Sequence, residues 1–325
     1  MINRIAELMR HETAGDPMSG LKWTRKTREK VSSELREIGI FVSPNTVGRL
    51  LRRMGYSLRV NHKQLSRVCK TPPGLRDAQF RHIAQLRRDC LARGLPIISV
   101  DTKKKELVGP FKNPGAAWGR QAHLVSDHDF ASEAEGKAIP YGIYDLWANR
   151  GTIYVGSSID TAEFAVDAIE AWWISEGRQR YDGAKELTIL ADGGGSNGST
   201  NRLWKRCLHR FAQRHGLTVT VAHYPPGASK WNPIEHRLFS EISKNWAGRP
   251  LHSYETILNY LRTTRTKAGL QVQAHLLDRL YDKGLKVSDA EIRRIPITWG
   301  TLPRWNYTIN PGPLKPKAKP GLVAA

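Results

Sequence analysis

At 325 residues the chain has room for about two domains of ~100–200 residues each, and at 40% hydrophobic it can build an ordinary core. Its net charge of +21, from 51 Lys and Arg against 30 Asp and Glu, exceeds that of an average enzyme and points to a polyanionic partner, nucleic acid first. No apolar run approaches the ~20 residues of a membrane span, and the start lacks the apolar core of a secretory signal. Three scattered cysteines with no CxxC pair exclude a disulfide framework and a zinc ribbon, and fit a reducing compartment.

The charge is uneven. Residues 1–95 hold 20 Lys and Arg against 8 Asp and Glu, an excess of 12 in under a third of the chain. Ile5 and Leu8 predict a short helix over 1–10, and HETAGDPMSG at 11–20 predicts a loop. Val31, Leu35 and Ile38 recur at helical spacing and stop at Gly39. Ser43 then caps a second helix, with Pro44 at its first position and Val47, Leu50, Leu51 and Met54 on one face. The other face carries Asn45, Thr46, Arg49, Arg52 and Arg53. Two short helices around a tight turn, the second basic where exposed, predict an all-α helix-turn-helix DNA-binding region over 1–70, with a winged-helix-like addition at Ser57 to Val60. An ordinary helical hairpin with a solvated basic face is the bland alternative.

A linker helix is expected over 71–94. The run LPIISV at 95–100 then suits a buried strand and ends on Asp101. Ile139 to Trp147 and Thr152 to Gly156 predict two further strands around the turn at 149–151, so the sheet begins antiparallel. Asp127, His128 and Asp129 make a poor metal site, because neighbouring residues on a strand point apart. Asp160 or Thr161 caps a helix whose Trp172 and Trp173 belong to the core. The strand 187–191 ends on Asp192. Gly193, Gly194, Gly195 and Gly198 follow, which allows close approach of a substrate backbone to Asp192. The loose GxGxxG there leaves a nucleotide site as an alternative. Asn197 is suited to orient a metal ligand or a phosphate. LTVTVA at 217–222 is the next strand and feeds a proline-rich loop. There Asn232, Pro233, Ile234 and Glu235 fit the first positions of a capped helix, and a glutamate at the third helical position is expected from a capping box with no function at all. A helical extension over 251–307 and a mobile basic tail over 308–325 complete the expected organisation.

The region 95–250 thus alternates as strand-Asp, two strands, helix, strand-Asp, helix, strand, loop, helix-Glu. A mixed sheet flanked by helices, with acids at adjacent strand ends, is the RNase H-like arrangement. The segments SVDTKKKE at 99–106, PYGIYD at 140–145, LADGGGSNGS at 190–199 and HYPPGASKWNPIEHRLFS at 223–240 resemble the ISAzo13-type insertion-sequence transposases. The loop before Asn-Pro-Ile-Glu is also similar to the more distant Tc1/mariner and IS630-type elements. The likeness runs from about residue 5 to 310. Family members have a longer N-terminal region, so the chain is expected to lack an earlier segment.

The resemblance implies a DDE triad of Asp101, Asp192 and Glu235, separated by 91 and 43 residues. It implies DNA cleavage and strand transfer supported by two Mg²⁺ ions, or Mn²⁺, ~4 Å apart. Asp101 would bridge both ions, and Asp192 and Glu235 would each complete one site. Lys103, Lys104, Lys230 and Arg237 are expected near substrate phosphates, with Gly193, Gly194, Asn197 and Asn232 in support. The implied partner is double-stranded DNA, element ends and target, bound by a homodimer or larger assembly in the prokaryotic cytoplasm at the nucleoid. Two other readings stay open: a DNA-binding relic or repressor with an inactive catalytic domain, and a general RNase H-like nuclease.

Overall fold

Apolar periodicity and caps decide where the helices start. In a computed structural model describing residues 2–9, 13–15, 22–24, 26–57, 71–117, 119 and 121–313, the chain divides into two units, 1–64 and 65–325. In the first unit, helices α1 (Ile2–Met9), α2 (Arg28–Glu37) and α3 (Pro44–Arg53) bury Ile5, Met9, Val31, Leu35 and Val47 together. The hydroxyl of Thr27 accepts from Lys30 N, and that of Ser43 from Thr46 N, so both hairpin helices start on a side-chain cap. Gly39 and Gly55, at φ +81° and +85°, turn the chain after each helix. The unit is not purely helical. Strand β1 (Thr13–Gly15) falls in the segment expected to be a loop and pairs antiparallel with β2 (Lys22–Thr24), just beyond it. The winged-helix-like addition expected at Ser57 to Val60 lies, beyond Ser57, outside the described residues.

The second unit opens with helix α4 (Pro73–Arg93), stopped by Gly94 in the left-handed region. Its sheet contains β3 (Ile97–Thr102), β4 (Glu106–Val108), β5 (Gly136–Asp145), β6 (Arg150–Gly156), β7 (Glu186–Ala191), β8 (Thr218–His223), β9 (Gln271–Leu277), β10 (Ile297–Trp299) and β11 (Asn306–Ile309). The order is β10-β11-β8-β7-β3-β5-β6-β9, with β4 beside β5. Within it, β6-β5-β3-β7-β8 is the RNase H-like core: β5 is antiparallel to both neighbours, and β3, β7 and β8 run parallel. Strands buried on both faces explain the mainly apolar runs at 97–100 and 187–191, in which only Ser99 and Thr188 are polar.

On one face lie α5 (Ala162–Trp172), continued by a π-turn (Trp173–Gly177) into α6 (Arg178–Arg180), and α7 (Arg202–His215). They pack Phe164, Trp172, Trp173, Trp204 and Phe211 onto Ile98, Val100, Ile189 and Val221. Full burial of such side chains is worth about 1.5–3 kcal/mol each. On the other face, α8 (Ser240–Asn245) and α9 (Tyr254–Arg262) bring Ile242, Ile257 and Leu261 to Val108, Ile153 and Val155. The segment 251–307 departs from the expected helical extension. It holds α9 and the short α10 (Asp289–Arg294), but also strands β9 and β10 and the start of β11. Asn306–Ile309 pairs with β8, so the expected tail over 308–325 begins inside the sheet. A four-residue strand beside proline and glycine carries too little periodicity to be read locally. Among the described residues no helix is long and apolar enough to cross a membrane.

Candidate active site

Two aspartates meet because of register. Val100 on β3 pairs with Ala191 on β7 in parallel, so the next residues are Asp101, still on β3, and Asp192, just past the end of β7, and neighbouring strands run ~4.8 Å apart. Asp101 Oδ1 accepts from Thr102 N at 2.8 Å, and Asp192 Oδ1 accepts from Gly194 N at 3.2 Å. Gly195 follows at φ +63°, which turns the loop with no Cβ penalty.

Glu235 reaches the same rim by a different device. Asn232 sits just ahead of the helical turn beginning at Pro233, yet its side chain is not spent on capping. Its Nδ2 donates to Val100 O at 3.2 Å, and its Oδ1 accepts from Ser99 Oγ at 2.5 Å. Ser99 Oγ in turn accepts from Ile234 N at 3.1 Å. The loop is therefore bonded to the two residues that precede Asp101, and both Ser99 and Asn232 are fully buried. Glu235 begins a π-turn (Glu235–Phe239) that leads into α8. Such turns often mark functional sites. Gly142, paired with Asp101, has no Cβ, and one built there would stand 2.5 Å from Phe239 and 2.8 Å from Ile234. Gly151 makes the same allowance for Leu238. The π-turn thus lies close on the sheet.

The loop after Asp192 is bonded across the site as well. Asn197 is buried and its Oδ1 accepts from Tyr141 Oη on β5 at 2.9 Å. Asn201 caps α7 through Trp204 N, which occupies the helix start that a nucleotide phosphate would need.

Electrostatically the three carboxylates feel one another. Burial and then the charge of Asp192 push Asp101 up to about 8, with smaller pushes from Glu235 and Asp160 against the pull of the Thr102 N–H. Burial raises Asp192, against its bond from Gly194, with Asp160 adding to the rise. Burial and Asp192 raise Glu235, and Lys103 pulls it back. Sequence pattern offers Asp160 only as a possible cap, a part that Thr161 takes. The Asp160 carboxylate instead accepts from Thr102 Oγ1 at 3.3 Å and lies 3.8 Å from Lys105 Nζ.

The donor chemistry fits hard cations: three acids, all oxygen donors, whose mutual repulsion a bound cation would relieve. They do not form a closed ligand set as they stand. Among the described residues no group of three or more His, Cys, Asp or Glu is gathered for a metal ion. That also holds for Asp127, His128 and Asp129, which are exposed, the His128 ring stacked on Phe130.

The basic residues divide. Lys103 is only 9% exposed, lies 3.1 Å from Glu106 and sits 4.6 Å over the Trp246 ring. Lys104 is exposed and lines a groove of about 450 Å³ with Lys105, Lys112 and Lys137. Lys230 is exposed over the ring of Trp231, itself 55% exposed, and Arg237 is exposed on the π-turn. In the first unit Asn45, Arg49, Arg52 and Arg53 are exposed along α3, and Thr46 is half-buried, accepting from Arg49.

The family model of the Rhodopirellula transposase DDE domain matches residues 4–311. No curated protein matches the chain. Among solved structures the chain is similar to the Mos1 transposase paired-end complex with left transposon end, at 15% identity and TM-score 0.42, covering 80% of this chain and 69% of that one. It is also similar to a pre-cleavage Mos1 transpososome, at 16% identity and TM-score 0.42, over 80% and 70% of the two chains. A third is the mariner Mos1 paired end complex with Mg, at 14% identity and TM-score 0.41, over 80% and 69%.

Proposed function

The chain belongs to the Rhodopirellula transposase DDE domain family, and we propose that Asp101, Asp192 and Glu235 are the three carboxylates with which it cuts and joins DNA. What supports this reading is one observation: the register of β3 on β7 sets two aspartates side by side, while Ser99 on β3 bonds the Asn232–Ile234 turn that carries the glutamate.

The three side chains would hold two Mg²⁺ or Mn²⁺ ions, whose chemistry is to activate a water or a DNA 3′ hydroxyl and to stabilise the leaving oxygen. The protein's own part is to hold the carboxylates in place and to offset part of the burial and repulsion that disfavour their charge. Thr102 and Gly194 donate to Asp101 and Asp192, and Lys103 offsets the repulsion on Glu235. Lys103 is buried and ion-paired with Glu106, so its charge is felt at Glu235 but it is not assigned to a phosphate. Lys104, Lys105, Lys112 and Lys137 around the groove, with Lys230 and Arg237, are assigned to DNA phosphates, where each contact releases counterions. Gly193 and Gly194 leave room for the DNA backbone beside Asp192, and Asn197 fixes their loop. The helix-turn-helix, with Asn45, Thr46, Arg49, Arg52 and Arg53, is assigned to the element ends, and the second unit to the chemistry. Paired cutting of two ends calls for a homodimer or larger assembly on DNA, in the prokaryotic cytoplasm at the nucleoid.

The test is cleavage of end-containing DNA with Mg²⁺ or Mn²⁺ by wild type and Asp192→Asn. Wild type is expected to cut and join at the ends, and Asp192→Asn to do neither. Identical products from the two proteins would overturn the assignment. Cutting without regard to ends would point to a general nuclease, and binding without cutting to a relic.

A further inference from the structure

Asp192 lies one residue beyond the β7–β8 ladder, whose last pair is Ala191 with His223. Its backbone carbonyl therefore lacks a strand partner. The His223 side chain supplies one, with Nδ1 2.8 Å from Asp192 O. A carbonyl oxygen only accepts, so Nδ1 carries the proton. On the far side of the ring, Nε2 is 3.1 Å from Tyr307 Oη on β11, and that same Oη accepts from Trp204 Nε1 on α7 at 2.9 Å. The indole N–H only donates, which leaves the phenol proton for Nε2. The chain of bonds has one consistent direction through a neutral ring: Trp204 to Tyr307 to His223 to the carbonyl of Asp192.

Every member is buried, at 0% exposure for Trp204 and His223 and 1% for Tyr307. The backbone of His223 is fixed too. Its N–H donates to Trp305 O at 3.0 Å, and its carbonyl accepts from Gln79 Nε2 at 2.9 Å. Gln79 and Asn306 exchange bonds of 2.7 and 2.6 Å through their side-chain amides, tying α4 to the start of β11. Four elements thus converge behind one aspartate.

We propose that His223, held by Tyr307 and Trp204, is a positioning residue for Asp192, and that the C-terminal strand β11 is part of the working site. This rests on the reading of Asp192 as a metal-binding carboxylate. Loss of the bond to its carbonyl would free the Asp192 backbone to pivot about Gly193, moving the carboxylate without removing it. Outer hydrogen-bond partners of metal-binding groups, when removed, cost about 10- to 100-fold in metal affinity or activity.

The experiment titrates Mn²⁺ into the full chain, following heat of binding and the metal-induced rise in melting temperature. The variants are Asp192→Asn, His223→Leu, His223→Asn and Tyr307→Phe, with circular dichroism to verify folding. An asparagine amide can replace the Nδ1–H donor, so His223→Asn is expected to bind Mn²⁺ within a few-fold of wild type. His223→Leu and Tyr307→Phe are expected to need about tenfold more Mn²⁺ or above. Folded His223→Leu with wild-type affinity would overturn the proposal. If that variant fails to fold, Tyr307→Phe decides, and wild-type affinity there is equally fatal. Wild type that takes up no Mn²⁺, or Asp192→Asn that takes it up as wild type does, would instead defeat the metal reading of Asp192, and this inference with it.

Discussion

Asp101 carries the largest electrostatic load at the site. Its folded-state pKa of about 8 lies above the ordinary carboxylate value, so between about pH 4 and 8 the folded chain binds a proton that the unfolded chain has released. Stability of the metal-free protein should therefore fall as pH rises through that window. Asp101→Asn removes the titration, and is expected to flatten that dependence and to raise the metal-free melting temperature at pH 8 while abolishing strand transfer. Thermal melts at pH 5 and pH 8 without metal check this. Glu235→Gln is expected to keep the fold and lose strand transfer, as judged by circular dichroism beside a strand-transfer assay. Both aspartates are legible in sequence, because each closes a short apolar run that suits a buried strand. Glu235 is ambiguous there, since a cap and a ligand leave the same trace. His223, Tyr141 and Ser99 are not legible as parts of the site. Their partners lie 84, 56 and 133 residues away, at Tyr307, Asn197 and Asn232, and local pattern carries no record of them.

At the scale of elements, the π-turn at Glu235–Phe239 fits only because the sheet under it is bare of side chains at two positions. Gly142 and Gly151 clear the way for Phe239, Ile234 and Leu238. Gly142→Ala would drive a methyl group into that packing. It is expected to cost about 1–3 kcal/mol by overpacking and to reduce strand transfer by lifting Glu235 from the rim. Denaturant unfolding and activity are read together. Ser99→Ala leaves the Ile234 N–H without its partner and Asn232 with half its bonds, which is expected to cost about 1–3 kcal/mol. In sequence Asn232 reads as a helix cap. It stands at that position, but Ser99 and Val100 take its amide. The succession of elements in the RNase H-like core follows from pattern, since its strands are marked by apolar residues and α5 and α7 start on the side-chain caps of Thr161 and Asn201. Strand β11 does not, because it is four residues long and its pairing with β8 is set by tertiary contact.

Over the whole molecule, charge and fold divide the labour. Much of the +21 charge lies in the N-terminal third, and the described basic face of α3 presents Arg49, Arg52 and Arg53. Arg49→Ala with Arg53→Ala is expected to weaken DNA binding and to lower the dependence of log K on log salt by about 1 for each phosphate no longer neutralised. Metal uptake by the second unit should be unchanged. Fluorescence anisotropy across a salt series measures the first, and calorimetry the second. Asp101, Asp192 and Glu235, which among the described residues are not gathered as a ligand set, are expected to close on divalent cations. Anomalous diffraction from crystals of the chain with end-containing DNA and Mn²⁺ tests this most directly. Manganese peaks are expected bound by Asp101 and Asp192, with Glu235 drawn into the same shell. Manganese bound elsewhere, or a Glu235 that stays remote from the metal with DNA in place, would contradict it.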